Sequence, residues 1–254
     1  MKRVWNSFLI ALAMFSKIPV PRADWDKENM KYMICFFPVI GVVIGCLVWG
    51  YGQICAAAGL GSLMRAVGFV LLPLLVTGGI HMDGYLDTAD ALSSWQPKER
   101  KLEILKDSHA GAFAVIMGCA YFILALGVWS EMESEVLPVL GIGYVLSRTL
   151  SGMALSTFPC ANKKGSLGMF ADAAQKRVLK TVLGLWMLVC AGAAFWWDWR
   201  YALILFGTAF IVYVYYYGMA MKEFGGTTGD IAGFFVQVCE LASACTLMLG
   251  GRFL

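Results

Sequence analysis

Three aspartates, Asp83, Asp87 and Asp90, are the residues of this sequence best suited to chemistry. Their i, i+4, i+7 spacing places all three carboxylates on one face of a helix, where like charges repel each other. A bound cation reverses that repulsion, and hard oxygen ligands of this kind suit Mg²⁺ or Mn²⁺ rather than zinc. A solvated acidic helix face is the alternative, but the stripe directly follows an apolar run and contains no lysine. The spacing therefore predicts a magnesium site.

The only two histidines, His81 and His109, bracket this segment. Each is a candidate proton acceptor or phosphate contact, and the alternative for each is an interfacial polar residue. His81 is the stronger candidate because it lies two residues before Asp83. We therefore group His81 with the three aspartates as predicted catalytic residues.

A second polar group, Lys106-Asp107-Ser108, precedes the apolar run that begins at Gly111. The pattern predicts a helix start, where free N–H groups and a positive field favour a phosphate group. Simple helix capping by Asp107 or Ser108 is the alternative. All three residues are assigned to substrate binding.

A glycine-rich string, Gly225-Gly226-Thr227-Thr228-Gly229-Asp230, joins the last two apolar runs. Three glycines let the backbone approach a ligand closely. The string therefore predicts substrate contacts from Thr228, Gly229 and Asp230, with capping of the final helix by Asp230 as the alternative.

Two ionisable residues, Arg148 and Glu240, fall inside apolar runs, where each costs a few kcal/mol unless it is paired or faces a cavity. Both are candidates for substrate binding, and pairing with each other is the alternative. Gln237 returns to the helix face of Asp230, and Glu240 borders that face. The spacing predicts one polar chamber that Asp230, Gln237 and Glu240 line at different depths.

The composition shows which elements must position these residues. The 254 residues are 59% hydrophobic and 15% charged, with a mean hydropathy of +0.70. A soluble domain carries about 25–35% charged residues on its surface, so lipid must be the main solvent of this chain. We predict an all-α polytopic membrane bundle forming a single domain over residues 1–254. Its seven predicted spans are 33–58, 64–80, 111–130, 137–158, 178–197, 201–221 and 231–250.

Residues 1–32 need a separate interpretation because Lys2 and Arg3 precede an apolar stretch that resembles a signal peptide. No convincing cleavage site follows this stretch, so we predict a retained interfacial or re-entrant helix. The eight cysteines include no CxxC pair, and neither a zinc site nor a disulfide framework is indicated.

The distribution of basic residues predicts the orientation. Sixteen of the twenty Lys and Arg residues fall in segments 1–32, 81–110, 159–180 and 222–230. By the positive-inside rule these segments are cytoplasmic, which places the predicted active-site segment 81–110 and the loop 222–230 on the same side. The net charge of +3 is too small to indicate a nucleic-acid partner.

At these residues the sequence resembles the cobalamin synthase (adenosylcobinamide-GDP ribazoletransferase) family from end to end. The resemblance is carried by Phe15-Ser16-Lys17-Ile18-Pro19-Val20-Pro21, Gly78-Gly79-x-His81-x-Asp83-Gly84-x-x-Asp87-Thr88-x-Asp90, Lys106-Asp107-Ser108 with Gly111, and Gly225-Gly226-x-Thr228-Gly229-Asp230 with Glu240. Ala91, Thr227 and His109 depart from the expected pattern, and none of these departures removes a carboxylate.

The resemblance implies that a hydroxyl of α-ribazole, or of its 5′-phosphate, attacks the cobinamide phosphate of adenosylcobinamide-GDP and expels GMP. It further implies that Asp83, Asp87 and Asp90 hold Mg²⁺, that one of them or His81 accepts the hydroxyl proton, and that Lys106 and Arg148 contact phosphate. The implied partners are the corrinoid nucleotide, α-ribazole and membrane lipid, together with a second copy of the chain or other cobalamin-assembly enzymes. The implied location is the bacterial inner membrane, with the site on the cytoplasmic side.

Two other functions are compatible with the same polar residues. A CDP-alcohol phosphotransferase-like lipid synthase also uses an Asp-Gly pair, but that family places Ala-Arg after it, whereas Tyr85-Leu86 follows here. A transporter with an acidic ion site usually shows inverted repeats and charges near the bilayer midplane. This chain shows no repeat and gathers its carboxylates at one face.

Overall fold

All the regular structure in the described part of the chain is helical, as predicted. The computed structural model describes residues 2–107, 109–162 and 175–253. Its α-helices are α1 Lys2–Phe15, α2 Lys27–Met30, α3 Phe37–Ala57, α4 Ser62–Thr77, α5 Ile80–Ser93, α6 Lys98–Ile104, α7 Ala112–Ser130, α8 Leu137–Thr157, α9 Lys176–Trp197, α10 Trp199–Met219 and α11 Gly229–Gly251. Single turns of 3₁₀-helix precede α3 and α8, and a π-helical turn, Ala220–Phe224, follows α10.

Six helical stretches of the described chain are long and apolar enough to cross a membrane. They are Lys27–Ala57, Ala112–Ser130, Ser134–Thr157, Lys176–Trp197, Trp199–Phe224 and Gly229–Gly251. The pair formed by α4 and α5 passes the same test jointly, but it is bent by 96°. The protein is therefore a multi-pass membrane protein, and the predicted count of seven spans holds if the bent pair is one span.

The bend between α4 and α5 corrects the predicted span 64–80. Gly78 and Gly79 both have left-handed backbone angles, with φ of +64° and +80°, so α4 ends at Thr77. Glycine adopts this conformation without the steric cost that a Cβ adds. The N–H of Lys17 donates to the carbonyl of Val76 over 2.8 Å, and the Lys17 side chain lies against Gly78. The bend turns the aspartate-bearing helix α5 away from the direction of α4.

Helices α3 and α8 approach each other closely through glycines. A Cβ placed on Gly41 would lie 2.4 Å from the carbonyl oxygen of Tyr144, and one on Gly45 would lie 2.9 Å from the backbone of Gly141. Small residues at such crossings let membrane helices pack backbone against backbone, where lipid supplies no hydrophobic drive for association. This crossing holds α8, and with it Arg148, beside α3.

Replacing Gly41 with alanine is expected to destabilise the protein by about 1–3 kcal/mol, because the helices must separate to admit the methyl group. Gly50 is the matched control on the same helix, since a Cβ there meets nothing within 4 Å. Gly50→Ala should leave the unfolding temperature unchanged or raise it slightly. Thermal unfolding in detergent micelles measures both variants, and equal unfolding temperatures would contradict the close crossing.

The connections gather at the two ends of the bundle. At one end, Arg65 donates to the carbonyl of Met132 over 2.8 Å, and the indole of Trp197 donates to the carbonyl of Glu135 over 3.2 Å. The other end joins the segments predicted to share one face, through contacts that link Lys17 to Val76, Tyr32 to Gln175, Lys98 to Met221, Lys101 to Glu223, and Pro159 to Thr227. We call this second end the polar end.

Candidate active site

The aspartate stripe lies on a helix, as its spacing predicts. Asp83, Asp87 and Asp90 all belong to α5; Asp83 is exposed and the other two are half-buried. Asp87 is close enough to Asp83, Asp90 and Asp230 to experience their charges. Within residues 2–107, 109–162 and 175–253, no ion pair engages any of these four carboxylates. The polar end thus carries four carboxylates that no described basic side chain neutralises.

Helix α5 packs directly on α11, which brings Asp230 to the stripe. A Cβ on Gly84 would lie 2.6 Å from the carbonyl oxygen of Asp230, and one on Gly233 would lie 3.2 Å from the carbonyl oxygen of His81. The two glycines therefore let the helix backbones touch. Because of this contact, Asp83 and Asp230 lie on the wall of one cavity.

That cavity has a volume of about 130 Å³ and lies between α1, α3, α5, α8 and α11. His81 forms part of its wall and is only 5% exposed. The imidazole stacks with Phe15, with ring centroids 6.5 Å apart and planes within 11°, and it lies 5.5 Å from the ring of Phe37. Neither ring nitrogen of His81 has a hydrogen-bond partner among the described residues. We call this space the His81 cavity.

The glycine-rich string is held in place by backbone pairing with the residues that follow α8. The N–H of Thr227 donates to the carbonyl of Pro159 over 2.8 Å, and the N–H of Ala161 donates to the carbonyl of Thr227 over 3.0 Å. The hydroxyl groups of Tyr216 and Thr227 are 2.5 Å apart. These contacts fix the segment that leads into α11.

Thr228, not Asp230, caps α11. The Thr228 hydroxyl oxygen accepts from the N–H of Ile231 over 3.3 Å, and Asp230 lies in the first turn of the helix. The alternative interpretation of Asp230 as the cap is therefore wrong. Asp230 lines the His81 cavity, and the Thr228 hydroxyl donates to its carboxylate over 3.4 Å.

Asp90 contacts the start of α7. Its Oδ1 accepts from the N–H of Ala114 over 3.3 Å, and a Cβ on Gly111 would lie 2.3 Å from the carboxylate. A carboxylate is favourable there because the first N–H groups of a helix have no intrahelical acceptor. Asp90 therefore caps a neighbouring helix while it remains on the stripe of α5.

The predicted helix start at Lys106-Asp107-Ser108 is wrong. Helix α7 begins at Ala112, with Gly111 as its cap residue, because the acceptor for its first turn comes from α5 instead of from the preceding residues. Lys106 and Asp107 lie exposed in the connection after α6, and Ser108 lies outside the described residues. The backbone N–H and the ring of His109 hydrogen-bond the carboxylate of Asp107 and lower its pKa.

Arg148 and Glu240 form an ion pair inside the bundle. Their side chains are 1% and 8% exposed, and Nη1 of Arg148 lies 2.5 Å from Oε1 of Glu240. The hydroxyl of Ser147 donates to the same carboxylate oxygen over 3.0 Å, and Arg148 donates to the carbonyl of Tyr144 over 2.9 Å. Each residue thus has the other as its partner, and their predicted contacts with substrate stay predictions.

The predicted single polar chamber is wrong. Gln237 and Glu240 line a second cavity of about 40 Å³, deeper in the bundle, where the hydroxyl of Tyr121 donates to Gln237 over 2.6 Å. Asp230 lines the His81 cavity instead. Two turns of α11 separate Asp230 from Gln237, and Tyr121 and Arg148 satisfy the deeper polar groups.

The donor set at the polar end fits magnesium in chemical type. In the part of the chain that the structure describes, no three His, Cys, Asp or Glu side chains are already gathered as a metal-binding group. Mg²⁺ usually keeps several waters and binds one or two carboxylates together with substrate phosphates, so it does not require a complete protein cage. The four carboxylates without a described basic partner are enough to supply the one or two protein ligands that Mg²⁺ needs.

Sequence reasoning missed the aromatic wall of the site. Phe15 and Phe37 line the His81 cavity, although they lie in α1 and α3, far from the aspartates in the sequence. Phe15 begins the string Phe15–Pro21 that helped carry the family resemblance, and that string was the available signal. Phe37 lies in an apolar run and has no distinguishing pattern.

The comparisons with known proteins agree with one another. The family model described as cobalamin-5-phosphate synthase matches residues 7–248. An adenosylcobinamide-GDP ribazoletransferase of Lachnoclostridium phytofermentans is 40% identical over 244 residues, which cover 96% of this chain and 94% of the relative. Relatives of the same name from Clostridium botulinum strain Alaska E43 and Geobacillus thermodenitrificans are 32% and 28% identical; their alignments cover 96% and 93% of this chain, and 99% and 93% of the relatives. No solved structure matches the chain.

Proposed function

The chain belongs to the cobalamin-5-phosphate synthase family, and from that premise we propose which residues carry its reaction and where they lie in the cell. It is a multi-pass membrane enzyme of cobalamin biosynthesis that joins adenosylcobinamide-GDP to ribazole. The ribazole hydroxyl forms a bond to the phosphorus attached to cobinamide, the bond from that phosphorus to the GMP oxygen breaks, and the hydroxyl proton must go to a base.

The observation that carries the assignment of residues is the meeting of Asp83, Asp230 and His81 on one cavity at the polar end. Phosphoryl transfer depends mostly on positioning and on stabilising charge, so one cavity with carboxylates at its mouth suits the reaction. Asp83 lies at the exposed end and His81 at the buried wall. The reacting phosphorus would therefore lie at the mouth, next to Asp83 and Asp230.

Magnesium is the proposed cofactor, and Asp83, Asp87 and Asp90 would hold one or two ions. When bound, it neutralises charge on the pyrophosphate oxygens. Only one oxygen of Asp90 accepts from Ala114, so this carboxylate would still be able to contribute to the metal site. Asp230 lies on a different helix but lines the same cavity. We assign it as the base that accepts the proton of the ribazole hydroxyl, because a base must lie within hydrogen-bond reach of the proton that it removes.

The proposed location of the site is the cytoplasmic side of the bacterial inner membrane. The basic segments 1–32, 81–110 and 222–230 meet at the polar end, whereas the opposite end carries Arg65, Arg200 and Arg252. The positive-inside rule supports a cytoplasmic polar end. That orientation also suits charged nucleotide substrates, which do not cross lipid unaided.

Removal of divalent cations tests the proposed cofactor. Protein in lipid nanodiscs receives adenosylcobinamide-GDP and α-ribazole, and liquid chromatography measures GMP and the cobalamin product. EDTA is expected to lower the rate by at least about 100-fold, or about 3 kcal/mol, and excess Mg²⁺ should restore it. EDTA already saturated with Mg²⁺ is the control. Undiminished turnover in EDTA would refute the metal, whereas folded protein that gives no product with Mg²⁺ would refute the activity itself.

A further inference from the structure

The wall of the His81 cavity is mostly apolar below its mouth. Met14 and Phe15 from α1, Ile34 from the 3₁₀ turn before α3, Phe37 from α3 and Leu155 from α8 form this part of the wall. Asp83, which is exposed, and Asp230, which is half-buried, mark the more accessible side of the cavity, which we take as its mouth. A ligand that fits must therefore be apolar at one end and must tolerate carboxylates at the other.

His81 supplies a second and independent indication of a ligand. It is 95% buried, it lines the cavity, and both of its ring nitrogens lack a hydrogen-bond partner among the described residues. A buried polar group without a hydrogen-bond partner is destabilising. A neutral imidazole offers one donor and one acceptor, and stacking beside Phe15 and Phe37 fixes its plane. A flat ligand with a ring nitrogen or hydroxyl would satisfy it.

The volume narrows the choice of ligand. The cavity encloses about 130 Å³, slightly less than a cavity of about 150 Å³ that holds a benzene ring, so it takes one ring of a bicyclic base while the rest lies at the mouth. A corrin ring is several times larger and is excluded. Guanine is flat, but its edge carries several donors and acceptors, each of which costs free energy when it is buried against apolar side chains. The base of α-ribazole is a dimethylated benzimidazole, which has an apolar rim and a single free ring nitrogen.

We propose that the His81 cavity binds the benzimidazole base of the acceptor, with the inserted ring packed against Phe15, Phe37 and His81. The ribose then lies at the mouth beside Asp83 and Asp230, where its hydroxyl meets the phosphorus. His81 donates to the free ring nitrogen and positions the acceptor. This assignment rests on the proposed function, because that function supplies the acceptor.

Binding of the free base, 5,6-dimethylbenzimidazole, tests the proposal without turnover. Equilibrium dialysis compares protein in nanodiscs with empty nanodiscs, so that partition into lipid is subtracted. Phe37→Leu is expected to weaken binding by about 5-fold, because an aromatic contact contributes about 1 kcal/mol beyond its area. Ala232→Leu, which fills the cavity from α11, should abolish binding. Phe206→Leu is the matched control, since it removes a ring that packs at a tilted angle against Phe195, away from the cavity.

Steady-state kinetics provide the second readout. Phe37→Leu should raise the KM for α-ribazole by about 5-fold and leave the KM for adenosylcobinamide-GDP within about twofold. Wild-type affinity for the base in both Phe37→Leu and Ala232→Leu would overturn the proposal. Weaker inhibition of Phe37→Leu by GMP, with an unchanged KM for α-ribazole, would also overturn it, because the cavity would then bind guanine. If the Ala232→Leu protein does not fold, Phe37→Leu decides alone. Base binding that depends on Phe37 in an enzyme that forms no product would support this site and refute the proposed function.

Discussion

Replacing Asp83 with asparagine is expected to lower the rate of GMP release by about 10³-fold, or about 4 kcal/mol of transition-state stabilisation. Asparagine keeps the size of the side chain and removes the charge at the mouth of the His81 cavity. Asp83 is exposed, and no described residue forms an ion pair with it, so folding does not depend on its charge. The loss should therefore appear in turnover and not in the unfolding temperature.

The matched control for this variant is Glu135→Gln at the opposite end of the bundle. Glu135 is exposed, and its carbonyl, not its carboxylate, accepts from Trp197. Its turnover should stay within about twofold of wild type. Full activity in Asp83→Asn would show that the stripe is not the metal site, and the family assignment would be unaffected.

Replacing Glu240 with glutamine is expected to destabilise the protein by about 3–5 kcal/mol. The substitution leaves the guanidinium of Arg148 buried without its counter-charge, and two of its nitrogens, Nε and Nη2, already have no hydrogen-bond partner among the described residues. Unfolding in mixed micelles of mild detergent and sodium dodecyl sulfate measures the change. A variant as stable as wild type would show that the pair does not hold the bundle together.

A double variant separates the structural role of this pair from its predicted contact with substrate. Arg148→Met combined with Glu240→Gln removes both charges, so most of the lost stability should return. Normal turnover in the double variant would mean that neither residue binds substrate. A stable double variant with little activity would support the substrate contact that the sequence predicts.

The spans were predictable because each is a long apolar run, and length alone links such a run to the bilayer. The bend at Gly78 was not predictable from the sequence, because hydropathy stays high through residues 64–80 and glycine is compatible with a straight membrane helix. Only the backbone angles, left-handed at both Gly78 and Gly79, distinguish the two cases. These angles follow from tertiary packing, in which Lys17 hydrogen-bonds the end of α4.

The aspartate stripe was predictable because i, i+4, i+7 spacing is local information. The position of Asp90 at the start of α7 and the arrival of Asp230 beside Asp83 depend on contacts between helices distant in the sequence. The error at Lys106 has the same origin. A cap supplied by another helix leaves no signal next to the helix it caps, so a nearby Asp-Ser pair is misleading.

Because α4 is short, the protein is sensitive to the thickness of the surrounding bilayer. When the bent pair is counted as one span, α4 is its membrane-crossing part, and its 16 residues rise about 24 Å, whereas the hydrocarbon layer averages about 30 Å. After the bend, α5 carries charged side chains that hydrocarbon does not solvate. A span shorter than the layer is accommodated when the bilayer thins locally around it. Lipids with shorter acyl chains reduce that deformation, so acyl-chain length acts on the protein at the end where its carboxylates lie.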